Sequence, residues 1–163
     1  MGRPHIQLIL VLFRLAQQNR RKHGIVYRAL DPFFSLAYRL PSLFLCGIDI
    51  PVSTRIGPRL SIHHGLGVVV NAKTVIGSDV TIRQGVTLGN KAGGAAPVLG
   101  DAVEIGASAL VIGAVEIGSQ AVVGAGAVVT KSVRSCATVV GNPARELRRE
   151  DTRRISEQSD KRE

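Results

Sequence analysis

Aliphatic side chains recur at every sixth position through much of the second half of this chain. The run extends from Leu99 to Val129, and glycine follows four of its six aliphatic residues. A small or β-branched residue stands four positions after each of them: Val103, Ala109, Val115, Ala121, Ala127 and Val133. A period of six fits neither the 3.6-residue turn of an α-helix nor the two-residue alternation of a plain strand. It predicts a triangular solenoid, in which each hexad supplies one short strand and one corner and three hexads complete a coil.

The same period starts earlier in the chain and is interrupted twice. The aliphatic positions there are Ile56, Ile62 and Val68, and the positions four residues later are Leu60, Leu66 and Ala72. The pattern then slips by two residues and resumes at Ile76. The spacing from Leu88 to Leu99 is eleven rather than six, so we expect about five residues within 89–97 to leave the coil as a loop. This hexapeptide repeat is typical of left-handed parallel β-helix proteins, and it predicts an all-β solenoid over residues 49–145.

The two ends of the chain lack the repeat. Residues 1–48 have a helical pattern with interruptions near Asp31-Pro32 and at Pro41, which predicts a short N-terminal segment of two or three helices. Residues 146–163 alternate in charge and carry few apolar side chains, so we expect a charged C-terminal tail that is helical or disordered. The length of 163 residues suits a single folded domain.

The formal net charge of +9 raises the question of an anionic partner. The basic excess lies in residues 1–48, where Asp31 is the single acidic residue. Basic stretches interleaved with aromatic residues and zinc-ligand spacings are absent, which argues against nucleic-acid binding. Cys46 and Cys136 form no metal or redox motif, and reduced thiols predict a cytoplasmic location. The apolar run Ile6–Phe13 is too short to span a bilayer.

Two adjacent histidines at a predicted corner are the candidates for chemistry. An imidazole suits the removal of a proton from an attacking hydroxyl, and His64 is the predicted general base. A carboxylate orients such an imidazole in many enzymes. Asp49 precedes His64 by fifteen residues, close to one coil of eighteen, so we expect it beside His64 in the neighbouring layer. His63 is the candidate acceptor-binding residue, and capping of the corner is its alternative role.

At these residues the chain resembles the serine acetyltransferase family. Asp49-Ile50, Arg55-Ile56-Gly57 and His64 keep the spacing of that family, as do the segments 84–89 and 140–145. The resemblance implies an Asp49–His64 dyad, acetyl-CoA as the acyl donor, and a homotrimer with its active sites in the clefts between subunits. It also implies that CoA lies along the solenoid, near main chain or phosphate-binding side chains of five residues: Gly89, Ala107, Ala125, Lys131 and Arg145.

Three positions depart from that family where it binds the two ends of serine. His63 replaces the aspartate that helps to hold the serine amine, and Ala95 and Ala96 replace an Arg-His pair that helps to hold the serine carboxylate. The run 62–71 resembles instead the serine-acetyltransferase-like O-acetyltransferases of exopolysaccharide clusters, such as the colanic acid acetyltransferases. That resemblance implies transfer to a sugar hydroxyl, which needs no carboxylate clamp. We therefore predict an acetyl-CoA-dependent O-acetyltransferase of exopolysaccharide or capsule biosynthesis, trimeric and outside the cysteine synthase complex.

Three other functions stay open on the sequence. Serine O-acetylation would require other residues to replace the missing charges. A γ-type carbonic anhydrase needs three zinc-binding histidines, whereas the solenoid contains only His63 and His64, so we expect no metal. A noncatalytic solenoid would lack both a carboxylate neighbour of His64 and a subunit cleft.

The apolar and basic N-terminus has two candidate partners. The side chains concerned are Leu8, Leu10, Leu12, Phe13, Arg14, Arg20, Arg21 and Lys22. Their composition suits peripheral contact with an anionic membrane surface, near a lipid-linked sugar. Packing of the same segment at the base of the trimer is the alternative, and we favour it.

Overall fold

The structure, a computed structural model, describes residues 4–21 and 24–147 of the chain. Two N-terminal helices precede a parallel β-solenoid of about five turns. The predicted β-helix with its N-terminal helical segment is confirmed. The tail expected over 146–163 lies outside the described residues from position 148 onward. No helix in the described ranges combines the length and the hydropathy needed to cross a bilayer.

The N-terminal segment forms a helical hairpin against the first coil. Helix α1 spans Pro4–Arg21 and helix α2 spans Ile25–Cys46. An edge-to-face contact between Phe13 and Tyr38, with ring centroids 5.3 Å apart, joins the two helices. Arg14 joins α1 to the solenoid, because its guanidinium donates hydrogen bonds to two main-chain oxygens of the first coil.

The expected helix breaks at the two prolines are wrong. Helix α2 continues through Pro32 and Pro41 as one element of 22 residues. A proline inside a helix removes one backbone hydrogen bond, yet tertiary contacts can override that local cost. Here the hydroxyls of Tyr38 and Ser42 donate to main-chain oxygens of the segment that follows the helix, at 2.8 Å and 2.6 Å. These buried bonds hold α2 to the solenoid along its second half.

Fifteen short strands in the described ranges form the three sheets of the solenoid. The strands are β1 Ile48–Asp49, β2 Arg55–Ile56, β3 Ser61–His63, β4 Val68–Val70, β5 Val75–Ile76, β6 Thr81–Arg83, β7 Thr87–Gly89, β8 Val98–Leu99, β9 Glu104–Ile105, β10 Leu110–Ile112, β11 Glu116–Ile117, β12 Val122–Val123, β13 Val128–Val129, β14 Thr138–Val140 and β15 Arg145–Glu146. The first sheet contains β1, β4, β7, β10 and β13, the second β2, β5, β8 and β11, and the third β3, β6, β9, β12, β14 and β15. Pairing is parallel except between β14 and β15, an antiparallel end strand that the repeat pattern did not indicate.

Aliphatic side chains stack coil upon coil inside the solenoid. Ile62 lies opposite Ile82, and Ile82 lies opposite Ile105 in the next coil. All three are at most 2% exposed. Burial of one such side chain contributes about 1.5–3 kcal/mol. Layers of small aliphatic residues therefore hold the three sheets together.

The first interruption of the repeat lies earlier than the sequence pattern indicated. Ile56 pairs with Ile76, so the coil here has 20 residues. Val70 points inward and is 2% exposed, whereas Leu66 is 71% exposed and Ala72 is exposed as well. The prediction that Leu66 and Ala72 continue the repeat, four residues after its aliphatic positions, is thus wrong, because the two extra residues precede both of them.

The two extra residues are His64 and Gly65. On one side of them, His63 pairs with Arg83 of the next coil. On the other side, the main-chain oxygen of Leu66 accepts a hydrogen bond of 2.9 Å from the coil above. The flanking positions are therefore in register, and His64-Gly65 is an insertion at the corner between β3 and β4.

The second interruption is a loop between β7 and β8, as predicted. Residues 90–97 contain no strand, and the pairing of Ile76 with Leu99 gives this coil 23 residues. The Asn71 side-chain amide donates to the Asn90 side-chain oxygen at 3.1 Å, which ties the start of the loop to the coil below.

Candidate active site

His64 stands at the inserted corner between the third and the first sheet. Its side chain is exposed, and its backbone has a φ of 55°. This left-handed region costs a residue with a Cβ about 1–2 kcal/mol. Seven other described non-glycine residues also have a positive φ, most of them at corners of the solenoid, so this conformation is a recurring feature of the corners. The insertion thus places a solvent-accessible imidazole outside the regular coil.

The corner above His64 continues as a column of aligned residues. Leu66, Gln84, Ala107 and Ala125 occupy the same corner position in successive coils, and the His64-Gly65 insertion directly precedes Leu66. Main-chain hydrogen bonds of 2.8 Å from the coil above to the Gln84 and Ala107 oxygens hold the alignment. We call this column, together with the inserted His64 at its lower end, the His64 edge. Two of the predicted CoA contacts therefore lie on the same edge as the predicted base.

The Gln84 side chain lies on the His64 edge without a hydrogen-bond partner in the described part of the chain. Its Oε1 atom is buried and unpaired. A buried amide oxygen left without a donor costs about 1–3 kcal/mol. In the sequence Gln84 is one residue of a motif, and the burial of its oxygen becomes visible only in the fold.

Gly89 and the His64 edge lie at opposite ends of the first-sheet strands. Gly89 ends β7 and precedes the loop 90–97, and its main-chain oxygen accepts a hydrogen bond of 2.9 Å from Gly113. A Cβ at Gly89 would stand 3.1 Å from the Cδ1 atom of Ile112. No side chain therefore projects from the outer face of the first sheet at Gly89.

Lys131 and Arg145 line one cavity at the last coil. Its volume is about 480 Å³, and both side chains are exposed. Arg134 and Glu146 also line this cavity and pair with each other at 2.7 Å, so the carboxylate there is already engaged by another cation. The structure thus brings together the two residues predicted to lie near the CoA phosphates.

Asp49 faces a cavity between helix α2 and the segment 48–53. The cavity has a volume of about 320 Å³ and is also lined by Tyr38 and Arg39. Burial is the main cause that raises the pKa of Tyr38 to about 12, and the charge of the nearby Asp49 carboxylate is a smaller cause in the same direction. Asp49 therefore lies under the helical hairpin, with its side chain exposed on the outer face of the first sheet.

The structure does not join Asp49 and His64 within one protomer. Asp49 pairs with Val69 in the next coil, five residues beyond His64. Two of these five residues arise because this coil has 20 residues rather than the eighteen assumed, and the other three because the spacing of fifteen is shorter than one coil. No hydrogen bond or ion pair connects the two side chains, both of which are described. The Asp49–His64 dyad remains a prediction.

His63 lies on the outer face of the third sheet and is half-buried. Its Nε2 atom is 3.2 Å from the Ser61 hydroxyl, and its strand neighbour in the next coil is Arg83. His63 and His64 thus differ in their surroundings although they are adjacent in sequence. Among the described residues, no group of three His, Cys, Asp or Glu side chains is arranged to hold a metal ion.

Comparison with known proteins places this arrangement in a family. The profile of the bacterial transferase hexapeptide (six repeats) family matches residues 96–131. Over 110 residues, which make up 66% of this chain and 68% of the relative, the chain is 44% identical to WcaB of Escherichia coli, which is named for an acetyltransferase of colanic acid biosynthesis. This chain belongs to the hexapeptide-repeat acetyltransferases.

Solved serine acetyltransferases share the fold of this acetyltransferase. The soybean apoenzyme is 37% identical with a TM-score of 0.76, and the match covers 88% of this chain and 58% of that one. The Brucella abortus enzyme, solved in complex with coenzyme A, is 30% identical with a TM-score of 0.74, and the match covers 85% and 54% of the two chains. The acetyltransferase described here thus spans little more than half the length of these enzymes.

The His64 edge of this acetyltransferase leaves room for a ligand. A Cβ placed on Gly126, next to Ala125, would meet no atom within 4 Å, and Ala125 itself is exposed. From the coil of His64 to the last coil the edge rises through four layers, about 19 Å at the spacing of neighbouring strands. That rise is comparable to the extended pantetheine arm of CoA, and Arg145 stands at its upper end.

Proposed function

We propose that the protein transfers an acetyl group from acetyl-CoA to a hydroxyl group of a sugar. The observation that carries the proposal is the continuous His64 edge, which runs from an exposed imidazole past Ala107 and Ala125 toward the cationic cavity at the last coil. In this assignment Lys131 and Arg145 bind the CoA phosphates, because both cations suit phosphate oxygens. The thioester then lies beside His64.

The reaction proceeds by base-assisted attack on the thioester. His64 accepts the proton of the acceptor hydroxyl while the hydroxyl oxygen forms a bond to the acetyl carbonyl carbon. The carbon–sulfur bond breaks as the tetrahedral intermediate collapses, and the CoA thiolate takes up a proton. The products are the acetyl ester and CoA, and the imidazole returns to its neutral form. Asp49 is the proposed carboxylate that orients the His64 imidazole.

The acceptor is inferred from what the chain lacks. Ala96 is buried and Ala95 is exposed, and neither methyl group can bind a carboxylate. At the position of His63 the serine acetyltransferases have a carboxylate that suits an ammonium group. The half-buried His63 imidazole can instead form a hydrogen bond with a neutral hydroxyl. The identity to WcaB supports a sugar acceptor of the exopolysaccharide class.

Serine is the second candidate acceptor. The structural similarity to the soybean and Brucella abortus serine acetyltransferases favours it. It would require another cation to hold the serine carboxylate, and Arg83, exposed beside His63, is the nearest residue of that kind in register.

We propose a homotrimer in which the outer face of the first sheet packs against a neighbouring protomer. This face presents Val69 and Leu110, which are 43% and 38% exposed, together with the half-buried Ile112 and Val128. The N-terminal hairpin also exposes apolar side chains. Of those expected from the sequence, Leu8 is exposed, whereas Phe13 is buried and Leu10 and Leu12 pack against the core. Trimer contacts are proposed to cover part of that surface.

Acetyl-CoA consumption by the purified protein tests the function. We expect turnover with nucleotide-linked or oligomeric sugars and none with serine. Turnover with serine alone would overturn the sugar assignment in favour of the second candidate. His64→Ala should lower turnover by about two to four orders of magnitude, as the loss of a general base does, while the trimer persists in light scattering. Full activity in that variant would exclude His64 as the base.

The membrane contact is tested separately by sedimentation with anionic lipid vesicles. Because we assign the exposed hairpin to the trimer, we expect the protein to stay in the supernatant. Sedimentation with anionic but not with neutral vesicles would support the membrane alternative instead.

A further inference from the structure

Arg83 is an exposed cation on the outer face of the third sheet, beside the predicted acceptor-binding residue. It ends β6, and its strand neighbour in the coil below is His63. Neighbouring strands are about 4.8 Å apart and consecutive Cα atoms about 3.8 Å apart, so the Cα atoms of Arg83 and His64 lie within about 9 Å of each other. The long side chain of arginine can therefore bring its guanidinium to a ligand beside the predicted base.

The positive charge of Arg83 has no partner in the described part of the chain. Arg83 makes no hydrogen bond or ion pair there, whereas Arg20, Arg59 and Arg134 each pair with a carboxylate. Glu104 is exposed on the same face in the next coil, yet it forms no ion pair with Arg83. The guanidinium presents five N–H donors in a planar fork that matches a carboxylate or a phosphate group. Arg83 can thus bind an anionic group from outside the chain.

The two coils above Arg83 carry no side chain in the same column. The register of the third sheet places Gly106 and then Gly124 directly above Arg83. A Cβ on Gly106 would stand 2.5 Å from the main-chain nitrogen of Ala125, so the packing of the coils excludes a side chain there. The outer face above the Arg83 guanidinium is therefore open to a ligand that lies beside the His64 edge.

In the proposed function, the donor substrate brings no negative charge to Arg83. Acetyl-CoA carries its charges on phosphate groups, which that assignment places at Lys131 and Arg145. Arg83 lies three strand spacings, about 14 Å, below β14, the strand against which Arg145 pairs. The thioester and the acetyl group at the His64 end are both neutral. The anion that matches Arg83 then has to belong to the acceptor.

We propose that Arg83 is an acceptor-binding residue that makes the enzyme selective for sugars with an acidic group. This inference rests on the proposed function, because it takes a sugar as the ligand beside His64. Two N–H groups of the guanidinium donate to two oxygens of a carboxylate or a phosphate. The contact holds the sugar with its reacting hydroxyl at the His64 imidazole. A uronic acid would supply the carboxylate, and a nucleotide-linked or lipid-linked sugar would supply the phosphate.

Steady-state acetyl transfer to matched acidic and neutral sugars tests the proposal. The neutral acceptors are the methyl glycosides of glucose and galactose. The carboxylates are the methyl glycosides of glucuronate and galacturonate, and the phosphates are glucose 1-phosphate and galactose 1-phosphate. The two acidic classes distinguish the two sources of the anion.

Three variants of the full chain are compared with the wild type. Arg83→Gln removes the charge, and Arg83→Lys keeps the charge but loses the planar fork. Arg55→Gln is the matched control. Arg55 is also an exposed arginine on the outer face of a strand, and it has no partner among the described residues, but it belongs to the second sheet.

We expect the wild-type KM to be about tenfold lower for one acidic class than for its neutral counterparts, which corresponds to one charged hydrogen-bonded contact. Arg83→Gln should raise that KM about tenfold, while kcat and the KM of the neutral sugars stay within about twofold. Arg83→Lys should retain part of the preference, and Arg55→Gln should retain all of it. Because the contact is exposed, rising ionic strength should weaken the wild-type preference. A purely structural role of Arg83 would not produce that salt dependence.

Two outcomes would overturn the inference in distinguishable ways. Equal KM values for acidic and neutral sugars in the wild type, or an equal rise for both in Arg83→Gln, would refute the role of Arg83 and leave the proposed function intact. A wild-type protein that acetylates no sugar at all would refute the proposed function and the inference together.

Discussion

Replacement of His64 by glycine should stabilise the protein while it abolishes acetyl transfer. The His64 backbone has a φ of 55°, and its exposed side chain makes no hydrogen bond in the described part of the chain. Glycine adopts this conformation freely, which removes about 1–2 kcal/mol of strain. The greater conformational freedom of glycine in the unfolded chain lowers the free energy of unfolding by about 0.5–1 kcal/mol. The net gain is about 0.5–1 kcal/mol, or about 1–4 °C in Tm.

Urea unfolding followed by circular dichroism measures the stability, and acetyl-CoA turnover measures the activity. His64→Ala is the first control: alanine keeps a Cβ and hence the strain, so it should lose activity without gaining stability. Ala102→Gly is the second control. Ala102 is exposed, has a φ of 53° and lies at a corner between the second and third sheets, so this variant should gain stability and keep its activity.

The reasoning fails if Ala102→Gly is stabilised while His64→Gly is less stable than the wild type. The His64 side chain would then make contacts in the folded protein that outweigh the backbone strain. Stabilisation of His64→Gly with unchanged turnover would confirm the strain and exclude the imidazole as the base.

Three further predictions concern the phosphate site, the helical hairpin and the close packing of coils. Lys131→Ala and Arg145→Ala should each raise the KM for acetyl-CoA about tenfold with little change in kcat, and an unchanged KM in steady-state kinetics would remove that residue from the site. Since the folded protein holds the Tyr38 pKa at about 12, unfolding releases this proton from pH 10 upward, so stability falls between pH 10 and 12 by roughly 2–3 kcal/mol. Tyr38→Phe should show a shallower decline in unfolding experiments over that range, and parallel declines would contradict the assignment. Gly118→Ala should lower the unfolding free energy by about 1–3 kcal/mol, because its Cβ would overlap the main-chain nitrogen of Ser135. An unchanged midpoint in urea unfolding would show that neighbouring coils can move apart to accommodate the methyl group.

The sequence alone determines the solenoid, because the spacing of its aliphatic residues defines the length of each strand and corner. An aliphatic residue at every sixth position has to point inward, and Ile105, Val111 and Ile117 are all at most 1% exposed, as their spacing required. The loop after Leu88 was also predictable, since an eleven-residue gap in that spacing leaves residues that cannot enter a coil. His64 was identifiable as a candidate base because imidazole suits proton transfer at neutral pH.

Only the tertiary structure decided where the irregular positions fall. An insertion of two residues can be accommodated at any corner of a coil, so the pattern could not locate it at His64-Gly65. The pairing of His63 with Arg83 locates it there, because it shows that the register is regular up to His63. The continuity of α2 through its two prolines likewise depends on buried hydrogen bonds from Tyr38 and Ser42. Local helix propensities cannot predict these contacts. The unpaired oxygen of Gln84 arises from alignment across coils, and alignment of residues some twenty positions apart is a property of the fold rather than of any segment of the sequence.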